Sequence, residues 1–89
     1  MTSRTTERFR KALAGLPAHV RAQARVAYRL FQQNPAHPSL QFKHVHPSRP
    51  IYSARVGLGY RALGVRDEEV VVWFWIGSHA EYDRLISQR

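Results

Sequence analysis

Four side chains from separate stretches of the sequence, Lys43, Arg61, His79 and Tyr82, have the types needed to cut RNA without a metal. In that reaction the RNA's own 2′-hydroxyl attacks the adjacent phosphate. It requires a base, an acid for the departing 5′-oxygen, and fixed positive charge on the phosphorane. Arginine, lysine, histidine and tyrosine supply all three. The same residues also have plainer roles: a strand-surface arginine, a solvated lysine, a helix-start histidine and a core tyrosine. Spacing alone favours these plainer roles.

Other chemistries find less support. His44 and His46 lie two apart on an expected strand and so share a face, as two metal ligands would. There is no cysteine, however, and the nearest acids lie more than twenty residues downstream, so isolated surface or RNA-contacting histidines are the better reading and no metal or other cofactor is expected. Without a thiol or a G-x-S-x-G elbow, covalent catalysis has no visible nucleophile. Five of the six acids fall at an expected turn or in the last helix, which argues against a paired-carboxylate hydrolase. Gly57-Leu58-Gly59 lacks the remaining residues of a phosphate loop and reads as a hairpin turn.

Charge points the same way as the four side chains. Fourteen Lys and Arg face six Asp and Glu for a net +8, and twelve of the fourteen are Arg. Arginine's planar fork suits bidentate phosphate contacts, which solubility alone does not require. Residues 1–66 hold twelve basic groups and one acid, Glu7, for +11, whereas residues 67–89 hold two basic groups and five acids, for −3. A phosphate-rich or strongly acidic partner is expected for the first part. No apolar run approaches the roughly 18 residues of a membrane span, and the first residues lack the apolar core of a secretory signal. A cytoplasmic protein with no membrane partner is therefore expected.

The elements that must position these groups follow from periodicity. At 89 residues and 44% hydrophobic content, one domain over 1–89 with a single core is expected, its polar residues 1–6 flexible. Phe9, Ala12, Leu13 and Leu16 have helical spacing until Gly15 and Pro17 interrupt them. A second helix runs from Pro17 to about Asn34, with Val20, Ala24, Ala27 and Phe31 on one stripe and Arg21, Arg25 and Arg29 on another side. Beyond Pro35-Ala-His-Pro38 the period becomes two. Strands are expected over Leu40–Val45, Ile51–Val56, Tyr60–Arg66 and Glu69–Ile76, the last apolar enough to be central. Ser78 and Glu81 have capping-box spacing, opening a short helix whose Tyr82, Leu85 and Ile86 dock on the sheet. The fold class is α+β: two N-terminal helices packed on a four-stranded antiparallel sheet, with a short C-terminal helix.

The strings Tyr60-Arg-Ala-Leu-Gly64 and Val72-Trp-Phe-Trp-Ile-Gly-Ser-His-Ala-Glu-Tyr-Asp83, together with Leu16-Pro17, Asn34 to Leu40, Phe42-Lys43 and Tyr52-Ser-Ala-Arg-Val56, resemble the RelE/ParE toxin superfamily of bacterial type II toxin–antitoxin systems, in its ParE-like branch. The resemblance implies a toxin neutralised by an acidic cognate antitoxin. It also implies either a metal-independent endoribonuclease acting on mRNA, often at the ribosome, or a ParE-type toxin that binds and poisons DNA gyrase. For the nuclease it implies Arg61 on the scissile phosphate, His79 in proton transfer and Tyr82 near the reacting nucleotide. Lys43, Arg55, His44 and His46 complete the expected RNA-binding set.

Overall fold

The structure is a computed structural model that describes residues 1–87. Its elements are β1 (Thr2–Thr5), α1 (Glu7–Ala14), α2 (Ala18–Gln33), a 3-10 turn (Pro38–Leu40), β2 (Lys43–His44), β3 (Ile51–Val56), β4 (Tyr60–Asp67), β5 (Val70–Ser78) and α3 (His79–Ser87). One sheet runs in the order β1-β5-β4-β3-β2. It is antiparallel except at β1, which pairs parallel to β5 from Thr2↔Val70 to Thr5↔Trp73. The α+β class and the two helices on one face are as expected; the sheet has five strands and is mixed, not four and antiparallel.

The additional strand lies in residues 1–6, whose polar sequence suggested a flexible end. Ser3 gives these residues their hold. Its Oγ accepts from Trp73 Nε1 at 2.7 Å and its carbonyl accepts from Tyr28 Oη at 3.1 Å, so the polar ends of two core aromatics are satisfied by the edge strand. Thr6 then caps α1, its Oγ1 accepting from the Phe9 N–H at 3.0 Å.

The second departure is at Leu40–Val45. The first of these residues closes the 3-10 turn, Gln41 follows at φ 45, and the strand β2 is confined to Lys43 and His44, with the Val45 N–H donating to the Ile51 carbonyl at 2.9 Å. Prolines 35 and 38 hold the approach in a turn, and a left-handed residue breaks the pleat.

The core lies between the sheet and the first two helices. Phe9 of α1 and Ala24 and Phe31 of α2 meet Ala54, Ala62, Val71, Trp73 and Ile76, and Phe31 meets Trp73 edge-on at 5.4 Å. Each large apolar side chain buried here contributes about 1.5–3 kcal/mol. β5 carries a bulge: Leu63 pairs with Trp75 and Gly64 with Trp73, leaving Phe74 unpaired. Without it, Trp73 and Trp75 would share a face. With it, Trp73 enters the helix-side core and Trp75 joins Leu63 on the opposite side, the side covered by α3.

Candidate functional site

Lys43, Ser53, Leu63 and Trp75 are successive cross-strand partners, and Arg55, Arg61 and Gly77 form the next row. Partners directly opposite share a face, so these residues lie on the face away from α1 and α2. A Cβ on Gly77 would lie 2.6 Å from the Trp75 ring, so the indole packs flat where only glycine leaves room. α3 crosses this face. Its start is fixed by the expected capping box, in which Glu81 Oε1 accepts from the Ser78 N–H at 2.9 Å and Ser78 Oγ accepts from the Glu81 N–H at 3.2 Å. The Ser78 backbone N–H, and to a lesser degree the Ser78 hydroxyl, hold the Glu81 carboxyl below its usual pKa. The His79 N–H donates to the Gly59 carbonyl at 2.8 Å, tying the helix start to the β3–β4 hairpin. That hairpin turns through Gly57 at φ +60.

Arg61 is the centre of the site and is only 2% exposed. Its guanidinium lies under the Tyr82 ring, 5.0 Å from the centroid, and donates to Gln41 Oε1 from Nη1 at 3.1 Å and Nη2 at 3.4 Å. Its Nε has no acceptor among the described residues. No carboxylate pairs with it among the described residues. Tyr82 is itself buried, and its hydroxyl donates to the Oγ of Ser53, which is wholly buried, at 3.1 Å. The His79 ring stands 6.0 Å from the Tyr82 ring. It is more than half exposed, with Nε2 3.7 Å from Asp83 Oδ2.

Of the expected site residues, Arg61, His79 and Tyr82 thus come together, and Lys43 is exposed on the same face. The other three do not converge on Arg61. Arg55 Nε donates to the Gly57 carbonyl at 3.1 Å, and the residue borders a groove at the sheet edge with Gln23, Val26 and Leu58. His44 pairs with Tyr52 and stacks on its ring at 5.0 Å, on the opposite face from Lys43, while Nε2 donates to the Arg49 carbonyl at 2.6 Å. His46 shapes the following turn, with Nδ1 accepting from the N–H groups of Ser48 and Arg49 at 3.1 and 3.0 Å. Among the described residues no group of three His, Cys, Asp or Glu side chains gathers as metal ligands would.

Sequence reasoning missed Gln41, Ser53 and Asp83. The period-two reading did place Gln41 beside Lys43 and away from Leu40, which was the available signal for the first. Leu85, expected to dock with Tyr82, remains 42% exposed because the helix turns only its Tyr82 side fully onto the sheet.

The other face carries an apolar cavity of about 340 Å³ between α1, α2 and the sheet, lined in part by Arg10, Arg25 and Arg29. Arg21, the remaining member of the arginine stripe, instead donates to the Leu16 carbonyl.

Residues 18–84 match the family model described as ParE-like toxin domain. Three solved structures share the fold. The RelB-RelE antitoxin–toxin complex from Methanococcus jannaschii aligns at TM-score 0.72 and 19% identity, covering 91% of this chain and 96% of that one. The toxin–antitoxin complex RelBE2 from Mycobacterium tuberculosis aligns at 0.68 and 27%, covering 88% and 96%. YafQ from E. coli aligns at 0.68 and 14%, covering 90% and 94%. No curated protein matches the chain.

Proposed function

This chain belongs to the ParE-like toxin domain family, within the RelE/ParE superfamily, and we propose that it is a metal-independent endoribonuclease that cleaves mRNA at the ribosome in the cytoplasm. The observation that carries this reading is Arg61, a buried guanidinium that among the described residues has no carboxylate partner and an Nε without an acceptor, beside a tyrosine and a histidine. Burying a charge without a counter-charge is costly. An anionic ligand that arrives later accounts for it. Here Arg61 takes the charge that builds on the phosphorane, and the exposed Lys43 meets the flanking backbone. His79 exchanges the proton of the 2′-hydroxyl or of the leaving 5′-oxygen, and Tyr82 orders both the arginine and the nucleotide. The O2′–P bond forms, the P–O5′ bond breaks, and the products are a 2′,3′-cyclic phosphate and a free 5′-hydroxyl.

The partner in this reading is an acidic cognate antitoxin; that the similar solved structures include toxin–antitoxin complexes supports an antitoxin as the partner. Arg10, Arg25 and Arg29 around an apolar cavity support such a partner, since they pair acids with buried apolar anchors.

A second reading, a ParE-type toxin that binds and poisons DNA gyrase, is favoured by the closure of Tyr82 and Gln41 over Arg61. The two are separated by inducing wild type and His79→Gln while mapping transcript ends and DNA breaks in the same cells. The nuclease gives cut transcripts with chelator-insensitive activity in vitro, and the variant loses roughly 10²–10⁴ in rate. Intact transcripts with broken DNA establish the gyrase reading.

A further inference from the structure

Gln41 stands between Arg61 and solvent. It is exposed, whereas the arginine it touches is only 2% exposed and has its other side covered by the buried Tyr82. The open approach to the guanidinium therefore runs through the place Gln41 occupies. Its backbone, at φ 45, is in the left-handed region, which a non-glycine residue holds only when its surroundings fix it. Its side-chain partner among the described residues is Arg61, whose Nη1 and Nη2 both donate to Oε1. Those nitrogens form an edge with which a guanidinium grips a carboxylate or phosphate. A neutral amide oxygen thus sits where an anionic oxygen would.

We propose that Gln41 is a displaceable stand-in for phosphate: it holds the Arg61 guanidinium in its receiving position and leaves when an anionic phosphate oxygen arrives. The inference rests on the reading of Arg61 as the phosphate ligand. A charge-assisted bond is roughly twice as strong as one to a neutral acceptor, so phosphate wins the exchange, but only after displacing the amide. Gln41 then sets a threshold, and only anions strong enough to displace it open the site.

The test is titration of the intact chain with inorganic phosphate, observed at the Arg61 Nε–Hε resonance, which is assigned by its loss in Arg61→Lys. Gln41→Ala removes the competitor and is expected to bind phosphate about tenfold more tightly than wild type, the equivalent of one hydrogen bond. Gln41→Gly, which relaxes the left-handed backbone as well, is expected to do the same and guards against a folding defect. Gln41→Glu fills the edge with a permanent carboxylate and is expected to bind at least about tenfold more weakly. Equal or weaker binding by the alanine and glycine variants, with their melting transitions intact, overturns the stand-in. A resonance that shifts alike in wild type and all three variants also refutes Gln41 while leaving Arg61 an anion ligand. A resonance that moves in none of them refutes the phosphate reading of Arg61, and the stand-in with it.

Discussion

Arg55 and Arg61 stand directly opposite each other across β3 and β4, and no carboxylate pairs with either among the described residues. Like charges in this relation destabilise a sheet, so stability alone does not explain the pair. Replacing Arg61 with Met keeps most of its bulk under Tyr82 and removes the charge. Buried ionic groups replaced by well-packed apolar ones often leave stability unchanged or raised. Arg61→Met is therefore expected to melt at or above the wild-type temperature while losing about 10²–10³ in cleavage rate, the size of one lost transition-state donor. Thermal melts beside transcript cleavage check this, and a collapsed melting transition makes the arginine structural.

Tyr82→Phe separates anchoring from stacking. The ring over Arg61 stays, but Ser53 Oγ, buried with its residue at 0% exposure, loses the Tyr82 hydroxyl. A destabilisation of about 1–3 kcal/mol is expected from chemical denaturation, with cleavage by the folded protein nearly unchanged. The double change Ser53→Ala with Tyr82→Phe should cost less than the sum of the two single changes, since neither polar group is then stranded.

Acid is expected to loosen α3 through Glu81. The bonds from Ser78 lower its carboxyl below the ordinary value of 4.5. A carboxyl lowered on folding contributes stability that is fully present above its unfolded pKa and disappears as pH falls through the folded one. Between pH 7 and 3, wild type should lose a Tm increment that Glu81→Gln lacks throughout. Parallel pH–Tm curves for the two proteins would count against the cap.

Ser3→Ala leaves the 4%-exposed Trp73 indole N–H without its acceptor. A loss of about 1–3 kcal/mol is expected, together with a shift in tryptophan emission. An unaltered spectrum and melt would mean that β1 contributes little to the fold.

The acidic partner is expected to bind less tightly as salt rises, because Arg10, Arg25 and Arg29 are met by no carboxylate among the described residues. Calorimetry at two ionic strengths, with Arg25→Glu and Arg29→Glu beside wild type, reads this. Arg61→Met should leave the affinity unchanged, since it lies on the other face of the sheet.

The sequence read well where a regular period met a clear stop. Val20, Ala24 and Phe31 placed α2, Gly57 and Gly59 placed the hairpin, and Ser78 with Glu81 placed the start of α3. It read poorly where the decisive partner was remote. Thr2–Thr5 has no apolar alternation, and only the distant Trp73 and Tyr28 reveal why it is ordered. Leu40 to Val45 alternates like a strand, yet the prolines before it and the left-handed Gln41 shorten the strand to Lys43 and His44. Tyr60-Arg-Ala-Leu-Gly64 pointed to Arg61, but its covering by residues 20 positions before it and 21 after it belongs to packing, which no local pattern encodes.

The parallel pairing of Thr2 with Val70 governs when the molecule becomes whole. Paired residues of the two strands lie 68 positions apart along the chain, and closing so long a loop is slow relative to local hairpins. α3, which carries His79 and Tyr82, directly follows β5. Local closure of β3, β4 and β5 can thus bring Tyr82 and His79 beside Arg61 before the β1 edge is complete. The edge strand is therefore expected to dock last, after the hairpins and α3 have formed the face that carries Arg61.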